Sequence, residues 1–313
     1  GKPSGPLSFM RVFDQIAGVI KSGGKTRRAA KMQSLRIDHP DIREFITCKT
    51  KEEKKAWALI EQGYGGDLNN EAYNSVMFQN ANLSVRVVDE FMQAVKDDAK
   101  WATKSVTTGK KVEEYSAREL MDLIADGTRV CGDPGLQYHS TINKWHTCPN
   151  SGPINASNPC SEYMFMDNSA CNLASLNLMK FRNEDGTFDI ESFRNAIRIF
   201  IIAQDILVDS GSYPEAEITE NSHYYRPLGL GYANLGCLMM SLALPYDSDE
   251  ARAQAGAITA ILTGTAYSAS AELATVKGAF EKFEENRDPM LKVIAMHREK
   301  AYQIPEVHCP DYF

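Results

Sequence analysis

Between Gly132 and Ser161 the chain loses every periodic pattern, while on either side strand-like and helix-like segments mix. An irregular stretch of this length inside a patterned chain is usually functional, and the flanking elements have to supply its framework. It runs into Asn158-Pro159-Cys160-Ser161-Glu162. Proline has a fixed φ and no N–H, so the cysteine beside Pro159 belongs to a stiff loop rather than a helix interior. Carboxamide, thiol and carboxylate stand at alternate positions of that loop. Together they form a constellation for chemistry on a hydroxylated substrate. A second thiol, Cys171, follows in Ala170-Cys171-Asn172-Leu173-Ala174-Ser175-Leu176-Asn177-Leu178.

The periodic regions read as α/β. Apolar residues at helical spacing predict a helix over Pro6–Ile20, ended by Gly23-Gly24. Met32–Ile37 reads as a strand. Asp38 and Pro40 open a helix through Phe45, and Lys49–Gln62 reads as a second, charged and mostly solvated helix. Gly63–Asn70 is a loop, Leu83–Val88 alternates like a strand, and Asp89 opens a helix. Lys104–Val112 is expected to be a hairpin with Thr107-Thr108-Gly109 at its tip. Ser116-Ala117-Arg118-Glu119 is a capping box for a helix reaching about Val130. Glu162–Met166 reads as a strand. Beyond Leu178 the chain turns helical, over Ile190–Ser210, Leu235–Leu244, Asp249–Lys277 and Asp288–Tyr302.

Composition excludes some classes of function. A net charge of −7 argues against binding nucleic acid through overall charge. No apolar run approaches a membrane span and no signal peptide opens the chain. The seven cysteines, Cys48, Cys131, Cys148, Cys160, Cys171, Cys237 and Cys309, are odd in number and irregular in spacing. That pattern predicts reduced thiols in a cytoplasmic protein, with any disulfide transient and catalytic.

Three weaker motifs compete for attention. Ser22-Gly23-Gly24-Lys25-Thr26 resembles the end of a P-loop, but Val19 stands where that motif needs glycine, and a helix precedes it. With Arg27 and Arg28, this turn could bind phosphate, or it could be a helix end followed by solvated charge. Gly229-Leu230-Gly231-Tyr232-Ala233-Asn234 resembles a dinucleotide fingerprint with Asn234 at the third glycine position. Tyr224-Tyr225-Arg226-Pro227 is a poor strand before it, so close helix packing is the expected role. Cys131, His139, His146 and Cys148 could ligate zinc, though their spacing fits no standard pair. His146 could also serve as base to a nucleophilic Cys160, but nothing in the sequence fixes that pairing.

Asn158-Pro159-Cys160-Ser161-Glu162-Tyr163-Met164-Phe165 and the Cys171 segment are similar to the ribonucleotide reductase catalytic subunits, in wording that of the adenosylcobalamin-dependent class II. So are Pro134-Gly135-Leu136-Gln137-Tyr138, Asn143–Gly152, Pro227–Gly236 and Asn82–Val87. The similarity extends over essentially the whole chain. It implies part of a ten-stranded α/β barrel with many surrounding helices and a central finger loop, about residues 153–171, carrying the catalytic cysteine. An effector-loop region would occupy about residues 1–31 and a mostly helical segment residues 189–313.

The resemblance further implies that Cys160 holds a thiyl radical that takes the ribose 3′ hydrogen. Glu162 would be the base on the 3′ hydroxyl, and Asn158 would bind the ribose hydroxyls. Asn158, Pro159, Cys160, Ser161 and Glu162 together would line the substrate. Cys171 would be one of two thiols that end as a disulfide. Gly23, Gly24, Lys25, Arg27 and Arg28 would belong to the loop that couples a deoxynucleotide effector to substrate choice. The implied cofactor is adenosylcobalamin and the implied substrate a ribonucleotide, with diphosphates expected. A thioredoxin-like reductant and a second copy of the chain are the implied partners, with no membrane and no direct nucleic acid. The thiol partner of Cys171 is expected before Gly1. The phosphate-binding loop and a relay cysteine pair are expected after Phe313. The chain therefore reads as the middle of a reductase, inactive alone unless complementary pieces associate. Two other readings stay open: a class I large subunit, and a zinc-stabilised nucleotide-binding or interaction module.

Overall fold

Strands alternate with amphipathic helices in both parts of the chain in the computed structural model, which describes residues 4–20, 30–67 and 70–313. These residues divide into two compact units. One comprises the chain up to Lys144 with Ile154–Phe165, the other Trp145–Pro153 with Met166–Phe313.

In the first unit the elements run α1 (Gly5–Val19), β1 (Lys31–Arg36), α2 (Ile42–Glu61), α3 (Glu71–Asn74), β2 (Ala81–Val87) and α4 (Asp89–Lys96). They continue β3 (Lys100–Lys104), β4 (Lys111–Ser116), α5 (Ala117–Cys131), β5 (Gly135–Tyr138) and α6 (His139–Lys144). β1, β2 and β5 form a parallel sheet in that order, and β3 pairs antiparallel with β4. Leu83, Val85 and Val87 of β2 pack on Ile42, Phe45 and Ile46 of α2 and on Leu120 and Ile124 of α5. Because side chains alternate along a strand, Ser84 and Arg86 face the other way. They are buried too, as expected of a central parallel strand covered on both faces.

In the second unit follow β6 (Asn172–Asn177), α7 (Ile190–Ser210), α8 (Ala216–Tyr225), β7 (Leu228–Ala233), α9 (Leu235–Ser241), α10 (Asp249–Lys277) and α11 (Phe283–Ala301). β6 and β7 pair in parallel through α7. Leu176 and Leu178 join Phe193, Ile197 and Ile201 of α7 and Ile258 and Leu262 of α10 in one core. The helix starts are fixed by side-chain caps. Ser116, Asp189 and Ser248 accept from the N–H groups of Glu119, Ser192 and Ala251 at 3.3, 2.9 and 3.1 Å.

Several sequence expectations are corrected. The two helices expected on either side of Thr47 are one, α2, because Cys48 and Thr50 continue its buried stripe and no glycine or proline interrupts it. The irregular stretch contains β5 and α6. Glu162–Met166 is not a strand: Ser161 and Asn168, with φ of 63° and 53°, turn the chain at either end of it. The glycine motif expected to pack helices is itself strand β7, beginning directly after Pro227. The described strands make two open parallel sheets and one hairpin, with no closed barrel among them. Among the described residues no helix is long and apolar enough to cross a membrane.

Candidate active site

The loop of the first unit closes on itself at Asn158. The Ser161 N–H donates to the Asn158 carbonyl at 3.1 Å, making a four-residue turn with Pro159 at its second position, where its fixed φ is favoured. Asn158 Oδ1 accepts from the Tyr163 N–H at 3.0 Å, a local side-chain bond of the kind asparagine supplies in turns. The carboxamide oxygen is thus committed to the loop, and Nδ2 is the part of Asn158 available to address a ligand. Ser161 lies in the left-handed region, so the backbone reverses between Cys160 and Glu162. Cys160 and Glu162 are exposed, while Asn158, Pro159 and Ser161 are half-buried. The turn therefore presents a thiol and a carboxylate and keeps the residues that shape it behind them.

Under the turn lies a polar bed that sequence reasoning missed. Gln137 of β5 donates from Nε2 to Ser157 Oγ at 2.6 Å and to Ser161 Oγ at 3.1 Å. Its Oε1 accepts from Arg86 Nη1 at 3.0 Å. Arg86 of β2 also donates from Nη2 to the Ile154 carbonyl at 2.5 Å and from Nε to His139 Nδ1 at 3.3 Å. Those three acceptors are all neutral. Asn143 grips Ile154 from both sides, accepting from its N–H at 2.9 Å and donating to its carbonyl at 3.2 Å. Arg86 and Gln137 are 3% and 2% exposed, so the bond between them and that from Arg86 to Ile154 are made away from competing water. Burial lowers the pKa of Arg86 from its ordinary range; the guanidinium nevertheless stays charged at neutral pH. Burial first, then the nearby charge of Arg86, lowers the pKa of His139 and favours neutral imidazole. One signal was present in the sequence: an arginine inside the apolar run Leu83–Val88 must find acceptors if that strand is buried.

Cys171 belongs to the second unit, immediately before β6. It is half-buried, and its thiol donates to the Asn172 carbonyl at 3.5 Å. Gln204 of α7, 2% exposed, donates to that carbonyl at 3.1 Å and to the Gly229 carbonyl at 2.8 Å, tying the starts of β6 and β7 together. Gly23, Gly24, Lys25, Arg27 and Arg28 lie outside the described residues.

Among the described residues no three or more His, Cys, Asp or Glu side chains gather as a metal site. The four zinc candidates have local partners. Cys131 donates to the Gly127 carbonyl at 3.4 Å, and His139 accepts from Arg86. His146 bonds the Gly152 carbonyl at 2.9 Å through Nε2 and accepts from the Cys148 N–H at 3.3 Å through Nδ1. Both nitrogens of His146 are thereby engaged with backbone. Burial raises the Cys148 thiol above its ordinary range.

A family model described as the barrel domain of ribonucleotide reductase matches residues 1–306. The chain is 61% identical over 306 residues to a vitamin B12-dependent ribonucleotide reductase of Rhodopirellula baltica, covering 97% of this chain and 29% of the relative. A protein of the same name from Streptomyces coelicolor is 50% identical over 317 residues, covering 99% and 33%. A vitamin B12-dependent ribonucleoside-diphosphate reductase of Mycobacterium tuberculosis is 34% identical over 287 residues, covering 92% and 38%. The chain thus spans roughly a third of the length of the curated relatives it matches.

Proposed function

The chain belongs to the ribonucleotide reductase barrel-domain family, and from that membership we propose that it supplies the catalytic loop of an adenosylcobalamin-dependent reductase. The substrates in this reading are ribonucleoside diphosphates and the products deoxyribonucleotides for DNA synthesis. The framework is the family's ten-stranded barrel, to which the two parallel sheets would contribute. The observation that carries the proposal is the Asn158–Ser161 turn, which sets carboxamide, thiol and carboxylate on one short, stiff segment.

In this reading Cys160, as a thiyl radical, takes the 3′ hydrogen of the ribose. Glu162 accepts the 3′ hydroxyl proton, and its exposure on the turn leaves it open to a substrate. Asn158 donates from Nδ2 to a ribose hydroxyl and holds the sugar in register. The 2′ oxygen leaves as water. Cys171 and a partner thiol give up two electrons and two hydrogens and become a disulfide, and the 3′ hydrogen returns from Cys160. A thioredoxin-like dithiol then restores the pair. Adenosylcobalamin, when bound, would supply the radical chemistry that oxidises the Cys160 thiol. An exposed thiol at the tip of a turn fits that role, since the hydrogen of Cys160 must be reachable from outside the loop. The Arg86–Gln137 bed shields the other side of the loop. The basic loop with Lys25, Arg27 and Arg28 is proposed to sense a deoxynucleotide effector in a homodimer.

The names of the relatives support the cofactor, and those of the Mycobacterium tuberculosis proteins support diphosphates. The discriminating experiment assays deoxyribonucleotide formation by the complete reductase with a dithiol, with and without adenosylcobalamin. Product only with the cofactor is expected. Cofactor-independent turnover that needs a second, metal-containing subunit would instead place the chain in class I. Near-stoichiometric zinc without turnover would favour an interaction module.

A further inference from the structure

We propose that Gln137 is a positioning residue for Cys160 and Glu162, locked in its working orientation by Arg86 and acting through Ser161. The inference rests on the function proposed above and names a determinant of that same loop.

The orientation of the Gln137 amide is set by chemistry. Arginine offers only donors, so the amide must turn Oε1 toward Arg86 Nη1, 3.0 Å away. That leaves Nε2 facing the loop, where it donates to Ser157 and Ser161 at 2.6 and 3.1 Å. A flipped amide would set a donor against a donor. Arg86 and Gln137 are register partners on neighbouring strands, so sheet pairing fixes their spacing. Both are almost wholly buried, and the bond between them is not diluted by water.

Ser161 is where this anchoring reaches the chemistry. Its φ of 63° is a conformation that non-glycine residues adopt only when surroundings hold them there. Ser161 lies between Cys160 and Glu162, so relaxation toward negative φ would swing the carboxylate relative to the thiol. Three bonds oppose that relaxation: the Ser161 N–H to the Asn158 carbonyl, Ser157 Oγ to the Ser161 hydroxyl at 3.4 Å, and Gln137 to the Ser161 hydroxyl. Only the last originates outside the loop. Arg86 and Asn143 hold Ile154 at the root of the loop, so the movement left for Gln137 to restrain is that of the turn itself.

The test compares Gln137→Leu, Gln137→Glu and Ser161→Gly with wild type in the complete reductase. Readouts are kcat, KM and hydrogen exchange at the Ser161 and Tyr163 amides. Gln137→Leu should lower kcat about tenfold or more, as misplacement of reacting groups does, with KM held within about twofold. Exchange at the two amides should accelerate about fivefold beyond any rise at β2 and β5, the effect of the lost bond to Ser161. Gln137→Glu still accepts from Arg86, and the Ser161 hydroxyl can turn to donate to it while Ser157 keeps its bond to the Asn158 carbonyl, so kcat should recover to within about threefold of wild type. Ser161→Gly keeps the backbone conformation but loses the hydroxyl, and should follow Gln137→Leu. Wild-type kcat in Gln137→Leu or Ser161→Gly would overturn the proposal, as would equal losses in Gln137→Leu and Gln137→Glu with faster exchange throughout the sheet. An inactive wild type would refute the function instead. Exchange at Ser161 and Tyr163 then decides, acceleration in Gln137→Leu supporting the positioning role and an unchanged rate overturning it.

Discussion

Gly229 and Cys171 are fitted to each other: a methyl group on Gly229 would stand 2.8 Å from the Cys171 sulfur and 2.4 Å from Leu173 Cδ2. The absent side chain gives Cys171 its place at the start of β6. Gly229→Ala is therefore expected to displace the Cys171 thiol and the exposed end of Leu173, destabilising the fold by about 1 kcal/mol through overpacking. At Gly231, two residues along the same strand, an added methyl group would meet nothing within 4 Å, and its alanine variant should stay within about 0.5 kcal/mol of wild type. Thermal melting of the two variants checks the contrast; equal losses would contradict it.

Lys49 and Asp133 form an ion pair between α2 and the segment leading into β5, their side chains 14% and 13% exposed. Lys49 also donates to the Ala81 carbonyl at 2.7 Å, and Asp133 accepts from the Leu83 N–H at 3.2 Å. Asp133→Ala leaves a cation without its partner in a poorly solvated place and should cost about 3–5 kcal/mol. Adding Lys49→Met should cost less than the sum of the single changes, a coupling that denaturant melts of the four proteins would measure.

Thiol accessibility gives a chemical fingerprint of the fold. Cys160 is exposed on its turn, whereas burial pushes the Cys48 thiol up to about 12 and raises Cys148 as well. Under iodoacetamide near neutral pH, Cys160 should be modified well before Cys48 and Cys148, because only an accessible thiolate reacts quickly. Mass spectrometry of time points reads the order, and Cys48 labelling in step with Cys160 would contradict it.

Acid should loosen the protein through its histidines. Burial lowers the pKa values of His139, His146 and His297, and Arg86 adds to the effect at His139. In the unfolded chain these groups titrate near about 6.5. The unfolded state therefore takes up protons first as pH falls, and stability present above that value is lost as pH drops through the folded values. Urea melts at successive pH values should show this decline. His139→Gln should make it shallower, and an unchanged slope would exclude the buried imidazole as a contributor.

How much of this was legible in the sequence differs by element. Asp249–Lys277 and Ile190–Ser210 were readable because long apolar periodicity and good caps coincide there. β5 was not, since Gly135–Tyr138 is too short to show alternation and is specified by pairing with β2. β7 was misread because Gly229 makes room for a neighbouring strand and thiol rather than for a helix. At the candidate site, residue type and spacing single out Asn158, Cys160 and Glu162, which the structure places on one turn segment. Arg86 stands out only as a charge inside a strand pattern, and Gln137 and Asn143 do not stand out, because their contacts depend on strands and loop meeting across long separations in sequence.

The central claim is that Cys160 carries radical chemistry on a ribonucleotide. Its most direct test is deoxyribonucleotide formation by the complete reductase with adenosylcobalamin and a dithiol, comparing wild type with Cys160→Ser. Wild type should form product and Cys160→Ser none above background, with the fold intact by melting. Sustained turnover by Cys160→Ser would contradict that claim.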